Sequence, residues 1–129
     1  MDQELFLKLK HGETFSDVES TLNVELVLTR YENDNVTYDY CHLSEIGVWL
    51  FFKIDSQRLY SIRFDEPFSL DIDGVKLGNS IKEVKNIKGK PSRRWPMPDS
   101  DIVRLIYDKP SFVRYDIDLQ SGRVVHIFK

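Results

Sequence analysis

One short pattern occurs twice in this chain, and the duplication constrains the fold more than any other feature. Leu9-Lys10-His11-Gly12-Glu13-Thr14-Phe15-Ser16-Asp17-Val18 returns, type for type, as Val75-Lys76-Leu77-Gly78-Asn79-Ser80-Ile81-Lys82-Glu83-Val84. Further along, Val48, Leu50, Phe52, Ile54, Arg58, Leu59 and Ile62 fall opposite Val113, Tyr115, Ile117, Leu119, Arg123, Val124 and Ile127 once a single-residue gap is allowed. Self-similarity of this kind marks a repeated supersecondary unit. The chain therefore reads as one domain over residues 1–129, with repeat one over about 9–64, a connector over about 65–74 and repeat two over about 75–129.

Each half opens with helix signals. Thr14 and Ser80 are good N-caps just after a glycine, and an acidic residue follows three positions on, Asp17 or Glu83, as in a capping box. Apolar spacing at Phe15, Val18 and Leu22, and at Ile81, Val84 and Ile87 or Lys88, predicts helices over residues 15–22 and 81–88. Gly89, Lys90 and Pro91 end the second. Strand-like stretches follow at about 24–31, 36–42, 47–54 and 58–64, then at 93–97, 102–108, 112–119 and 123–128. Turn chemistry separates them at Asn33-Asp34-Asn35, Asp55-Ser56-Gln57, Lys109-Pro110-Ser111 and Gln120-Ser121-Gly122. The expected fold is α+β: two tandem helix-plus-antiparallel-meander repeats, with the helices packed on one face of a largely antiparallel sheet. In the connector, Phe68, Leu70 and Ile72 alternate as packed residues do, and a short edge strand fits there.

Strand alternation directs attention to a surface. Val48, Leu50, Phe52 and Ile54 must share one face, as must Val113, Tyr115, Ile117 and Leu119. The opposite face presents Trp49, Phe51, Lys53 and Asp55 from the first repeat, and Arg114, Asp116, Asp118 and Gln120 from the second. A Trp on a strand is more often a packing residue, and mixed charge is more often a solvated face. Exposed aromatics and charges on one surface nevertheless have the make-up of a binding hot spot. Trp49, Phe51, Lys53, Arg114, Asp116 and Asp118 are therefore the candidate partner-binding residues. Trp95, in the rigid apolar loop Trp95-Pro96-Met97-Pro98, joins them as a preorganised anchor.

Chemical sites are weakly encoded. Cys41 and His42 are neighbours on a strand and point to opposite faces, which is poor geometry for a nucleophile and its base. His11, His42 and His126 lack metal-ligand spacing, and no second cysteine exists for zinc. Asp71-Ile72-Asp73-Gly74 begins like a calcium loop but lacks the later oxygen ligands. Asp116 and Asp118 form a carboxylate pair without a third polar partner. No catalytic residue, cofactor or metal is expected.

The net charge of -3, from 18 Lys plus Arg against 21 Asp plus Glu, disfavours a general nucleic-acid binder and suits a basic protein partner. Lys88, Lys90, Arg93 and Arg94 beside Trp95 make a basic loop, too small to reverse that reading. One lone cysteine fits a reducing compartment, no apolar run reaches membrane-span length, and no export signal is visible, so a cytoplasmic protein is expected.

A family resemblance rests on Gly78-x-Ser80-x-x-x-Val84, Gly89-Lys90-Pro91, Tyr107 and Gly122-Arg123-Val124-Val125. This pattern resembles the repeat of the β-lactamase inhibitor protein-like fold, shared with small outer-membrane assembly lipoproteins of the SmpA type. The first half matches less fully: Gly12, Thr14 and Val18 are present, but no Gly-x-Pro follows the helix and Gln57 stands where Gly122 does. The resemblance implies a sheet whose open face grips another protein. Two units and no lipid-bearing cysteine near the N-terminus favour the inhibitor branch. The expected function is a non-catalytic protein-binding or inhibitor module, in its sharpest form a bacterial immunity protein that neutralises a co-encoded toxin. Two alternatives stand beside it: a structural or envelope-assembly adaptor, and a small-molecule-binding protein or enzyme with a cleft between repeats.

Overall fold

The computed structural model describes all 129 residues, Met1–Lys129. Eight strands dominate it: β1 (Thr29–Asn33), β2 (Val36–Leu43), β3 (Val48–Phe52), β4 (Leu59–Phe64), β5 (Arg93–Pro96), β6 (Ile102–Tyr107), β7 (Val113–Asp118) and β8 (Arg123–Phe128). Three helices accompany them, α1 (Glu4–Leu7), α2 (Phe15–Leu22) and α3 (Ile81–Lys88), of 4, 8 and 8 residues. Helix makes up about 16% of the chain. The chain is thus largely antiparallel β-sheet. The α+β reading, with helices forming a layer over two helix-plus-meander repeats, is corrected: capping boxes and apolar spacing locate a helix but say nothing of its weight. Helices of about two turns are marginal alone and here only fill gaps beside the strands.

The chain separates into two compact units, Met1–Arg63 and Phe64–Lys129. In the first the strand order is β1-β2-β3-β4, and in the second β8-β7-β6-β5. Thr29 to Asn33 pair antiparallel with Tyr40 to Val36, and Asp39 to Leu43 with Phe52 to Val48. In the second unit β6 pairs antiparallel with both β5 and β7, and β7 with β8, where the register shifts at Asp116/Ile117.

The cores follow the strand alternation. Val48, Leu50, Phe52 and Ile62 are buried in the first unit, with Val18 and Leu22 of α2; Phe15 of α2 meets Phe52 edge-on at 5.5 Å. Val113, Tyr115, Ile117, Val124 and Ile127 are buried in the second, with Val84 of α3. Tyr115 is fully enclosed and donates its hydroxyl to the Ile72 carbonyl at 2.8 Å, and burial pushes its phenol pKa upward. Leu119, expected to share the face of Val113, is 51% exposed because β7 ends at Asp118. Ile54 lies in the β3–β4 turn.

Two departures have local causes. The stretch 24–28 alternates as a strand does, with Val24, Leu26 and Leu28 half-buried, but it joins no ladder. Its Leu26 N–H donates instead to the Glu19 carboxylate at 2.8 Å, so β1 begins only at Thr29. In the connector Phe68 and Ile72 are buried, yet backbone pairing there is limited to the single bridge Ile72–Val75.

The duplicated sequence produces duplicated hydrogen bonding. Gly12 N–H donates to the Leu59 carbonyl and Gly78 N–H to the Val124 carbonyl, both at 2.8 Å. Both glycines sit at positive φ, 93° and 90°, where a side chain would be strained. Arg58 donates to the Gly12 carbonyl at 2.6 Å and Arg123 to the Gly78 carbonyl at 2.8 Å. Both capping boxes are complete. The Thr14 hydroxyl accepts from Asp17 N–H at 3.2 Å, and the Ser80 hydroxyl from Glu83 N–H at 3.1 Å. The hydrogen bonds from Ser80 hold the Glu83 carboxyl below its ordinary pKa. A lowered folded value means that this contribution is present above the unfolded pKa and is lost as pH falls through the folded one. Thr14→Ala is expected to lower stability by about 1 kcal/mol in urea unfolding, the usual cost of a lost N-cap.

Candidate functional site

Alternation on β2 and β3 puts Asp39 and Cys41 of β2 and Val48, Leu50 and Phe52 of β3 inside, and their neighbours on the other side. Those neighbours are aromatic. Cross-strand register sets His42 opposite Trp49, Tyr40 opposite Phe51, and Tyr31 opposite Tyr38. The rings make continuous contact: Tyr31 stacks on Tyr38 at 4.8 Å, Tyr38 meets Phe51 edge-on at 5.4 Å, and Tyr40 lies 5.5 Å from Trp49. His42 stacks on Trp49 at 3.6 Å with its ring tilted by 14°. Tyr60 of β4 reaches Phe51 at 6.4 Å, and the Arg63 guanidinium lies over the Trp49 ring at 5.4 Å. Such cross-strand pairs stabilise a sheet by about 0.5–1.5 kcal/mol each beyond area burial.

The band is only partly covered. Tyr31 and Tyr60 are 38% and 36% exposed, Trp49 and Phe51 are half-buried, and His42 is exposed. Burial raises the Tyr38 and Tyr60 phenols above their ordinary pKa, so both hydroxyls stay protonated donors. Each ring packs against a neighbour, and side chains already ordered by packing cost less to order on association. Lys53 is exposed just beyond β3. It borders a shallow hollow of about 320 Å³ lined by Tyr38, Tyr60, Thr37, Ile54 and Asp55.

The other expected partner residues lie in the second unit, and there the structure corrects their role. Asp116, expected to be exposed and to meet a basic partner, is 3% exposed. It accepts from Arg114 Nε at 3.0 Å and from the same guanidinium again at 3.4 Å. His126 Nδ1 stands 3.5 Å away and Arg104 Nε 3.8 Å away. Arg114 also lies over the Phe128 ring at 3.7 Å. The carboxylate is therefore neutralised within the chain, by Arg114 two residues earlier on the same face of β7 and, across the ladder, by Arg104 of β6, with His126 of β8 beside it. Arg104 Nε is buried without a hydrogen-bond partner. Asp118 is half-buried and accepts from Ser121 N–H at 3.2 Å as turn chemistry. Trp95 is 56% exposed on β5, opposite Arg104.

Of the expected site residues, Trp49, Phe51 and Lys53 stand together in the first unit, while in the second Arg114 and Asp116 pair with each other and Asp118 serves the turn after β7. Sequence reasoning missed Tyr31, Tyr38, Tyr40, His42, Tyr60 and Arg63. Applying to β2 the alternation used for β3 would have found Tyr38, Tyr40 and His42.

Cys41 is buried beneath the band, and its thiol is pushed up to about 12, chiefly by burial and then by the negative charges of Glu19 and Asp39. It should resist Ellman's reagent in mildly alkaline native buffer and react fully once urea unfolds the chain. Rapid native reaction would show the thiol to be accessible. No group of three or more His, Cys, Asp and Glu is placed to hold a metal ion, and no helix is long and apolar enough to cross a membrane.

No family model and no curated protein matches this chain. Among solved structures it is similar to a DUF4309 family protein (YjgB) from Bacillus subtilis subsp. subtilis str. 168, with a TM-score of 0.57 and 16% identity over 90% of this chain and 76% of that one. At that identity the likeness shows a shared fold and nothing finer.

Proposed function

We propose that this protein is a non-catalytic binding module that grips another protein through the aromatic face of its first unit. The observation that carries the reading is the contiguous, half-exposed aromatic band with Trp49 and Phe51 at its centre. Rigid aromatic rings offer large contact area at low entropic cost, the property shared by interface hot spots. An inhibitor or immunity protein is the finer form of this reading. A toxin partner would meet the aromatic face, since the Asp116 carboxylate is already occupied by Arg114, with Arg104 and His126 beside it.

The test is site-specific photo-crosslinking in cells making the protein at native levels. Benzoylphenylalanine replaces Tyr60 on the band or, as control, the exposed Leu119 in the second unit. A discrete heavier adduct with a different protein from position 60 and none from position 119 is the expected result. Equal adducts from both positions would overturn the reading. Adducts only with a second copy of the chain would replace it with the self-associating adaptor.

A further inference from the structure

We infer that β1 is a seam at which two copies of this chain pair edge to edge about a two-fold axis at Tyr31; this is independent of the binding-face reading above. β1 is the outermost strand of the first unit, and all five of its residues are exposed. The outermost strand of the second unit, β5, carries Arg93, Arg94 and Pro96, the like charges and missing donor that keep a strand edge from pairing. β1 has no such defence. It contains no proline, and its one cation, Arg30, is matched by one anion, Glu32.

The hairpin with β2 fixes which backbone groups are open. Asn33 pairs with Val36 across the two-residue turn Asp34-Asn35, with Asp34 at φ 48°. Residues that close a turn of this length exchange both hydrogen bonds, so Thr29, Tyr31 and Asn33 bond to β2, while the N–H and C=O of Arg30 and Glu32 point to the open edge. An axis at Tyr31 sets Arg30 opposite Glu32 of the second copy twice over, and it keeps all five residues of each strand paired. An axis at Arg30 or at Glu32 sets like charges opposite each other and leaves two residues of each strand unpaired. Arg30 also holds Asp39 at 3.0 and 3.4 Å, but this uses two of its five N–H donors and leaves its side chain 51% exposed. At the axis Tyr31 meets its own copy at a non-hydrogen-bonded site, where facing side chains come closest. The Tyr31–Tyr38 stack at 4.8 Å then continues into the second copy. This self-complementarity selects a copy of the chain over a foreign strand. The seam is short, so pairing belongs to raised protein concentration.

Sedimentation velocity of the full chain over rising concentration tests this. The mass should climb from that of a monomer toward twice that value in the high micromolar range. Glu32→Pro removes only an outward donor from β1, so the variant should keep its circular dichroism and stay monomeric. Tyr31→Cys reads the register: mild oxidation should join it to its own copy, while Val27→Cys, at an 81% exposed site, should stay monomeric. Cys41 is buried and does not compete. If Glu32→Pro does not fold, Glu32→Arg, which sets cations opposite each other, carries the test with about a tenfold loss of self-association. A monomer at every concentration would leave the edge to a foreign strand and overturn the inference, as would undiminished pairing in Glu32→Pro or equal cross-linking at positions 27 and 31. Trp49→Phe/Phe51→Leu should leave pairing unchanged; its loss there would move the second copy from β1 to the aromatic face. Tyr60 stands on β4, three strands in from the seam at about 4.8 Å per strand, so adducts from position 60 and pairing at β1 fail separately.

Discussion

Asp116→Asn is expected to destabilise the protein by about 3 kcal/mol, seen as a lower urea midpoint at unchanged slope. The substitution keeps the side-chain volume and removes the charge. The Arg114 and Arg104 guanidiniums, now 3.0 and 3.8 Å from the carboxylate, would then face each other with nothing to neutralise them. The cost lies at the low end for a buried ion pair because Arg104 and His126 keep roughly a third of their side-chain surface in water. Asp39 supplies the control. It is equally buried but has one partner, Arg30, whose side chain is 51% exposed, so Asp39→Asn should cost about 1 kcal/mol or less. Equal losses at the two positions would show that burial of the carboxylate, and not the cation cluster, sets the cost.

Phe52→Ala is expected to cost about 3–5 kcal/mol, the range for emptying a large aromatic site in a core. Phe52 is fully enclosed and is the ring against which Phe15 of α2 packs, so its loss also undercuts the helix. Leu119→Ala, a change at a position the duplication pairs with Ile54, should stay within about 0.5 kcal/mol because Leu119 is half in solvent. Thermal unfolding of the two variants side by side measures both. A loss at Leu119 comparable to that at Phe52 would mean that β7 continues past Asp118 in solution.

What the sequence made legible was local. The helices at 15–22 and 81–88 lie where Thr14 and Ser80 cap them, because an N-cap, its acidic partner and one apolar stripe are all short-range signals. The inward sets Val48, Leu50, Phe52 and Val113, Tyr115, Ile117 are likewise fixed by period-two alternation. What was not legible was cross-strand. The Arg114–Asp116 pair lies two residues apart on one face of β7, but the enclosure completed by Arg104 and His126 depends on register, which is not written along any one strand. The aromatic band was legible in part: alternation along β2 puts Tyr38, Tyr40 and His42 on one face, and only register brings them beside Trp49 and Phe51. The weight of helix was misjudged because two clear capping boxes attract attention out of proportion to the sixteen or so residues they organise.

The arginine clasps at Gly12 and Gly78 have a kinetic consequence. Each ties a helix entrance to a hairpin 46 or 45 residues further along the chain. Neither α2 nor α3 is long enough to persist alone, so neither is an early, independent event in folding. Each helix must wait for its distant hairpin to close a long loop, and chains ruled by such contacts fold slowly. Once closed, the clasp works in reverse: fraying of a helix start requires its hairpin to open too. The duplicated Gly12 and Gly78 segments therefore behave as latches, which make two short helices open and close with the sheet.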